Sequence, residues 1–478
     1  MQQRMFFNKI LSDPKMMFVF TKYLTFGIYF FVSIILANKL GLFFFGVYGF
    51  IKLLMQYLSF SNLGVNYSSI VCMSQQSSLN NRENNSILVS SILSSFFFFT
   101  VIFVLLLILY PYIVEIVGNK YEIRGYFACI FIIVLFKQIN LLFINVHRVY
   151  NKLKVINIAY LLPCLGELIV LPFASGEALL RLSLYSMIVS NSFVSLIFFS
   201  FPTFHMTFFF RLKTMSMLVK RGIKLLIYNV SFYFISMISK SYISFFFSVS
   251  LFAQYSFAYN ISDAVMLLNN SISFLIYPTL LKKLSCFSEN RIETINYMID
   301  VQNKYMLMAN LISLLSYIFI PLIQFIVPDY KQSIDILAIL LLAQLFIANT
   351  FTMSTYLVQQ NKEIILINIG LISISFLILL NYLFHYLSNN ILLISSTLVI
   401  SMCVYNVLVA LFVVKHLNIS RKDFLFKLLD VRFFIPIFIA LCVRFVSFHW
   451  LSIIAYSGLL LLMYKNQYIK LVKLFLKQ

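Results

Sequence analysis

Residues 86–110 read Ser-Ile-Leu-Val-Ser-Ser-Ile-Leu-Ser-Ser-Phe-Phe-Phe-Phe-Thr-Val-Ile-Phe-Val-Leu-Leu-Leu-Ile-Leu-Tyr, 25 positions without a formal charge. Wound as an α-helix they reach about 38 Å, more than the roughly 30 Å of a bilayer's hydrocarbon core. Hydrocarbon offers the backbone no water, so a segment inside it forms a helix or joins a closed barrel. The apolar residues here come in blocks rather than alternating, which excludes the barrel pattern. Ile130–Phe136 and Leu371–Leu380 are uncharged in the same way. Across all 478 residues the chain is 62% hydrophobic and 11% charged, with a mean hydropathy of +0.94. That leaves too little charge for the shell of a soluble domain. The fold class is therefore all-α, a polytopic integral membrane protein.

Fourteen spans are expected, at about 16–38, 45–72, 86–110, 123–146, 155–173, 182–203, 223–249, 254–280, 304–327, 335–358, 364–387, 391–414, 431–446 and 448–464. The last two are short enough to form one re-entrant hairpin, and no cleavable signal precedes the first. With the N-terminus inside, 26 of the 36 Lys and Arg face the cytoplasm, six face outward and four lie within spans. Membrane potential and anionic lipids both retain cations inside, so this asymmetry predicts cytoplasmic N- and C-termini. The net charge of +21 thus marks membrane orientation, not nucleic acid. The longer basic connectors, His205–Gly222, Leu281–Asn303 and Lys415–Asp430, are expected to lie on the inner leaflet as surface helices. The expected domains are 1–210 (spans one to six), 211–416 (spans seven to twelve) and 417–478 (two extra spans and a basic tail).

Six scattered cysteines without a CxxC pair, and five histidines without HExxH, give no metal or disulfide framework. No Walker A loop or GxGxxG is present, so no nucleotide or other cofactor is expected. Transport against a gradient would draw on an ion gradient or on consumption of the product.

Phe45-Gly-Val-Tyr-Gly-Phe50 aligns with Phe252-Ala-Gln-Tyr-Ser-Phe257 at an offset of 207 residues. Six spans separate the copies, so both enter the membrane in the same direction. Such a parallel repeat of two six-helix bundles is a transporter architecture with its pathway between the halves. Tyr48, Lys52, Gln56, Ser59, Asn62 and Asn66 recur at steps of three or four, one helical face. The shifted set is Tyr255, Tyr259, Asp263, Met266, Asn269 and Ser273; the helices before them carry Lys22, Thr25, Tyr29, Ser33 and Asn229, Tyr233, Ser236, Lys240, Ser244. Ser, Asn and Tyr often only join packed helices. A lysine within a span costs at least ~2.5–3.5 kcal/mol to insert, so Lys52, Lys240 and Lys137 point to a water-accessible cavity rather than lipid. Lys22 lies near enough to the interface to snorkel there or to join the cavity. Within spans only Glu167 and Asp263 oppose these cations, which favours an anionic cargo. Either acid would form a structural pair or couple ion exchange, and Glu167 lies beside Pro163 and Gly166, where a bend is expected.

Leu40-Gly41-x-x-x-Phe45-Gly46-x-Tyr48 followed by Asn62-Leu63-Gly64, with Gln254-Tyr255-x-x-Ala258 and Tyr277-Pro278 in the second half, resembles the polysaccharide transporter family. That family includes bacterial O-antigen flippases and belongs to the multidrug/oligosaccharidyl-lipid/polysaccharide (MOP) exporter superfamily. Asn62 stands where such sequences often carry an acid, so no carboxylate role is transferred to it. The resemblance implies a non-enzymatic flippase of the bacterial inner membrane. Its cargo would be an undecaprenyl-diphosphate-linked oligosaccharide for O-antigen (lipopolysaccharide) biosynthesis, carried to the periplasmic leaflet by alternating access. A polysaccharide polymerase and a chain-length regulator are the implied partners. Lys52, Lys240, Lys137, Lys22 and Asp263 would then meet the diphosphate or acidic sugars, while Tyr48, Gln56, Tyr255 and Tyr259 contact hydroxyls; Glu167 and Asp263 are the candidates for ion coupling. Two alternatives stand beside this. A membrane-embedded O-antigen polymerase would need a large arginine-rich outward loop, which is absent, and has no use for the repeat. A drug or small-molecule exporter of the same superfamily would more naturally carry an anionic cavity.

Overall fold

The computed structural model describes residues 14–76, 81–117, 120–203, 209–286, 291–417, 427–446 and 449–476. Among the described residues there are helices and no strands: α1 (Pro14–Leu58), α2 (Val65–Gln76), α3 (Asn81–Val117), α4 (Phe127–Val149), α5 (Leu153–Val170), α6 (Gly176–Ser200), α7 (Leu212–Phe246) and α8 (Val249–Cys286). They continue as α9 (Arg291–Ile318), α10 (Ile320–Ile326), α11 (Lys331–Asn349), α12 (Phe351–Gln359), α13 (Glu363–Leu387), α14 (Ile391–Leu417), α15 (Ile435–Val446) and α16 (His449–Leu476). Nine segments of the described residues are long and apolar enough to cross a membrane, and the first, Phe20–Asn62, holds two expected spans in its 43 residues. The protein is a polytopic all-α membrane protein.

Within α1 the two spans part at Gly41, whose φ of 68° and ψ of 173° occupy a region essentially closed to residues with a Cβ. The second span ends sooner than expected. After α1 a 3₁₀ turn covers Ser59–Asn62, Leu63 and Gly64 take positive φ, and α2 restarts the helix at Val65. Asn62 builds this turn: its Oδ1 accepts from the Gly64 N–H at 2.8 Å, and its Nδ2 donates to the Ser59 carbonyl at 3.1 Å. An amide can do both, whereas a carboxylate only accepts. Gly64 is also a point of close approach, because a Cβ there would lie 2.1 Å from the carbonyl oxygen of Gly222 on α7. Ser68 extends the seam by donating to the Leu218 carbonyl at 2.8 Å.

The basic connectors are not separate surface helices. Residues 212–222 open α7, 281–286 end α8 and 291–303 open α9, each continuous with a long helix. Residues 418–426 of the third connector lie outside the described residues. α5 likewise runs unbroken through Pro163, and Gly166 gives it close contact with Ser186 and Ser190 of α6.

The chain divides into two compact units, Met1–Val230 with Ser244–Ala253, and Ser231–Ile243 with Gln254–Gln478. In the first, α1 packs on α5 and α6, and α4 on α6. Its core gathers Val65, Leu142, Phe143, Phe198 and Leu218, with the Phe143 and Phe198 rings stacked at 5.7 Å. In the second, α11 and α13 pack on α14. A buried polar seam runs through it: Thr352 donates to Gln302 at 2.6 Å, Gln302 to Asn349 at 2.6 Å, and Asn349 to Asn406 at 3.2 Å. α15, 12 residues long, spans only about 18 Å and is too short to cross a bilayer core alone. It packs on α16 and is pinned to α11 by Arg444 and Asp335 at 2.7 Å.

The 207-residue repeat has a structural counterpart. Gly41 interrupts α1, and the break between α7 and α8 falls at Phe247 and Ser248. Phe45, Tyr48 and Phe50 and their copies Phe252, Tyr255 and Phe257 are all buried. Phe50 stacks on Tyr121 at 4.2 Å, and Phe257 packs on Tyr330 at 4.8 Å. The repeated phenylalanine thus meets a tyrosine from a following segment in each copy.

Candidate functional site

The first unit contains a cavity of about 340 Å³ between α1, α4, α5 and α6, within which Lys22, Tyr29, Lys137, Asn140 and Tyr160 form part of the wall. That volume lies at the lower end of the ~300–1,000 Å³ of small-ligand pockets. Lys22 reaches it from α1, one turn ahead of Thr25 and two ahead of Tyr29, so helical spacing aligns all three. Its ammonium sits 3.0 Å from the centre of the Tyr160 ring on α5. An aromatic face holds a cation with about 0.5–2 kcal/mol while leaving its N–H groups free to meet an anion.

Lys137, on α4, is exposed in the cavity wall. It makes neither a hydrogen bond nor an ion pair among the described residues, although the charges of Lys52 and Glu167 both reach it. Its neighbours are committed to structure. Gln138 donates to the Leu58 carbonyl at 3.1 Å and to the Ser61 hydroxyl at 2.8 Å, closing the end of α1. Asn140 donates to the Asn191 carbonyl at 2.9 Å and accepts from Ser195 at 2.7 Å, joining α4 to α6. The lysine is thus mounted on a helix fixed from both sides.

Lys52 is half-buried and lies 4.4 Å from the centre of the Tyr48 ring. Tyr48, itself buried, donates through its hydroxyl to Glu167 Oε2 at 3.3 Å. Glu167 is only 4% exposed, and its charge also reaches Tyr29. The first unit therefore brings Lys52, Lys137, Tyr48 and Glu167 into one electrostatic neighbourhood, with Lys22 in the same cavity wall as Lys137. Gln56 is half-buried on the same helix and is not part of the cavity wall.

The other sequence-derived residues cluster in the second unit. Lys240, 4% exposed, lies 4.9 Å from the centre of the Tyr259 ring. The Tyr255 and Tyr259 rings stack at 6.3 Å, and the Tyr255 and Ser239 hydroxyls are 3.1 Å apart. Asp263 is exposed, and the cation whose field it feels is Lys240, on the preceding helix of its own unit. Among the described residues no group of three or more His, Cys, Asp or Glu could hold a metal ion.

Two residues escaped sequence reasoning. Tyr160 carries the Lys22 contact; its spacing of seven from Glu167 places both on one face of α5, the signal that was available. Arg444 is paired with Asp335 and has a side chain only 10% exposed.

No family model matches the sequence, and no curated protein matches it. Solved structures do match in fold. The lipid II flippase MurJ in an inward closed conformation aligns with a TM-score of 0.70 at 14% identity, covering 94% of this chain and 99% of that one. An inward-facing multidrug resistance MATE family transporter of the MOP superfamily aligns at 0.68 and 13% identity, covering 82% and 94%. A single-residue variant of the Vibrio cholerae MATE transporter VcmN aligns at 0.58 and 12%, covering 86% and 99%. At such identities the likeness concerns architecture: the chain has the fold shared by a lipid II flippase and MATE transporters.

Proposed function

We propose that this protein is a flippase that carries an undecaprenyl-diphosphate-linked oligosaccharide from the cytoplasmic to the opposite leaflet by alternating access. The observation that carries the reading is the pair of ammonium groups, Lys22 and Lys137, set in the wall of one cavity within a membrane-spanning bundle. A diphosphate leaving water needs replacement cations, and charge-assisted hydrogen bonds from lysine supply them. The cations are held by an aromatic face and a braced helix rather than consumed by carboxylates, so they remain available to cargo. Lys52 adds to the same positive field, and Tyr29, in the cavity wall, would meet sugar hydroxyls, whereas Tyr48 is buried with its hydroxyl committed to Glu167 and is not a sugar contact. Glu167, bonded to Tyr48, moderates the field and is the acid positioned to exchange an ion or proton as the cycle turns. The MurJ likeness in fold supports the choice of a lipid-linked cargo, and the basic asymmetry of the loops supports cytoplasmic termini in a bacterial inner membrane.

The test is reconstitution of the full chain in proteoliposomes with a fluorescent undecaprenyl-diphosphate oligosaccharide whose label an impermeant reductant bleaches only in the outer leaflet. Accelerated exchange between leaflets is expected, and its loss in the Lys22→Gln, Lys137→Gln double variant. Exchange no faster than in empty liposomes would remove the flippase reading. The MATE likeness favours a second reading, export of small molecules, and ethidium efflux from the same proteoliposomes distinguishes it. A cation such as ethidium suits a lysine-lined wall poorly.

A further inference from the structure

The first unit has a second cavity, of about 310 Å³, at the end of α4 and α6 remote from His147 and Ser200. In the orientation proposed above this is the outward end. Aromatic surface dominates its apolar wall: Phe44, Tyr126 and Tyr185 line it, and Tyr185 is 53% exposed. The polar wall is Glu122, Glu177 and Arg181. Arg181 donates to Glu177 Oε1 through two nitrogens, at 2.6 and 3.1 Å, and is hydrogen-bonded to Tyr126. Glu122 enters the wall from a backbone with φ of 46°, a conformation costing a non-glycine residue ~1–3 kcal/mol. Gly125, also in the wall, has open space where a Cβ would stand.

Flat aromatic faces beside planar carboxylate and guanidinium groups suit a pyranose ring. The ring's C–H face packs on the aromatic ring, while vicinal hydroxyls pair with the two oxygens of a carboxylate or with the guanidinium fork. Two carboxylates against one guanidinium leave the wall with a formal charge of −1, which repels an acidic sugar and admits a neutral or amino-bearing one. The geometry points to a glycan-binding subsite at the outward end of the first unit, selective for neutral or amino pyranoses and separate from the lysine-lined cavity. The inference rests on the flippase reading for its biological sense: the subsite would receive the sugar portion of a cargo whose diphosphate the lysines meet.

Cys129 lies in the same wall and is partly exposed, so it reports on occupancy. In full-length protein whose other five cysteines are replaced by serine, the rate of Cys129 labelling by a charged methanethiosulfonate is measured with chitotriose, with the glucosamine trimer, and with trigalacturonate. Chitotriose or the glucosamine trimer is expected to slow labelling about threefold, the protection given by ligand at about twice its dissociation constant. Trigalacturonate is expected to leave the rate unchanged. Gly125→Leu, whose Cβ would meet no protein atom within 4 Å, puts bulk into the cavity wall and is expected to abolish sugar protection; Glu122→Gln is expected to let trigalacturonate protect. Absence of protection by both neutral and amino sugars, equal protection by trigalacturonate, or protection that survives Gly125→Leu would overturn the subsite. The labelling rate reports sugar binding and needs no transport. Flipping without sugar protection therefore removes the subsite alone, and sugar protection without flipping removes the flippase reading alone.

Discussion

The three lysines singled out in the first unit and the single Lys240 of the second differ in burial. Lys137 stands exposed in a cavity wall without an ion pair among the described residues, with Lys22 in the same wall. Lys240 is 4% exposed, sits against Tyr259 and feels the charge of Asp263. The positions related by 207 residues show how the exchange was made: Lys52 corresponds to Tyr259, and Gln56 to Asp263. The first unit kept the cation on the second span and an amide one turn on. The second placed tyrosine and aspartate there and took its lysine from the preceding helix. A buried charge is tolerated where it is paired, while an exposed one in a dry surrounding is expensive and suggests a use. The difference assigns presentation of cations to the first unit and internal neutralisation to the second.

Removing both cavity cations should give the largest effect. Lys22→Gln with Lys137→Gln is expected to slow flipping on the order of 100-fold, because a hydrogen bond to a charged group contributes about 1.5–3 kcal/mol and each 1.4 kcal/mol is tenfold. Loss of a membrane lysine eases insertion, so yield and thermal unfolding should be unchanged or improved. A variant that flips normally would break the contrast between the units.

The second unit should respond in stability instead. Lys240→Met removes the cation whose field reaches the exposed Asp263 and is expected to move the unfolding midpoint in detergent by the equivalent of no more than about 1 kcal/mol. Adding Asp263→Asn should offset part of any loss, giving a coupling of about 0.5 kcal/mol in a double-mutant cycle. Strict additivity would mean the two groups do not sense one another.

Much of the contrast was legible in the chain, for a physical reason. A lysine within an apolar span is so costly that its presence alone marks a protected or watered site, and Lys137, beside Gln138 and Asn140, declared itself that way. The repeat was legible because buried aromatics at fixed spacing persist as Phe45, Tyr48 and Phe50 do. Tyr160 was hidden, since an aromatic in a span reads equally as lipid-facing. Arg444 and Asp335 were hidden because they are 109 residues apart and nothing local links them. The turn at Asn62-Leu63-Gly64 looked like part of a longer helix, because Asn62, which builds it, falls in a polar stripe at helical spacing, and the α7 backbone that approaches Gly64 at Gly222 is distant in sequence. Partners distant in sequence leave no local periodicity to read.

Accessibility gives a smaller but direct measure. Single cysteines in a background otherwise free of cysteine should label with a hydrophilic thiol reagent about tenfold faster at Lys137→Cys than at Lys240→Cys, since reaction requires an exposed thiolate. Equal rates would erase the difference in burial on which the assignment of roles depends.

The smallest effect expected is that of Tyr48→Phe. The hydroxyl contributes one hydrogen bond to Glu167 at 3.3 Å, at the long end of the useful range, and the ring under Lys52 is kept. A charge-assisted bond of such length should be worth no more than about 1 kcal/mol, so flipping should fall by about fivefold or less. The informative readout is the ion dependence of transport. If Glu167 exchanges a proton or ion during the cycle, freeing its carboxylate from Tyr48 must shift the pH or Na⁺ concentration at half-maximal rate, while Tyr255→Phe in the second unit leaves that value in place. A uniform fall in rate with no such shift would make Glu167 a structural partner of Tyr48 and leave the lysines as the functional charges of the first unit.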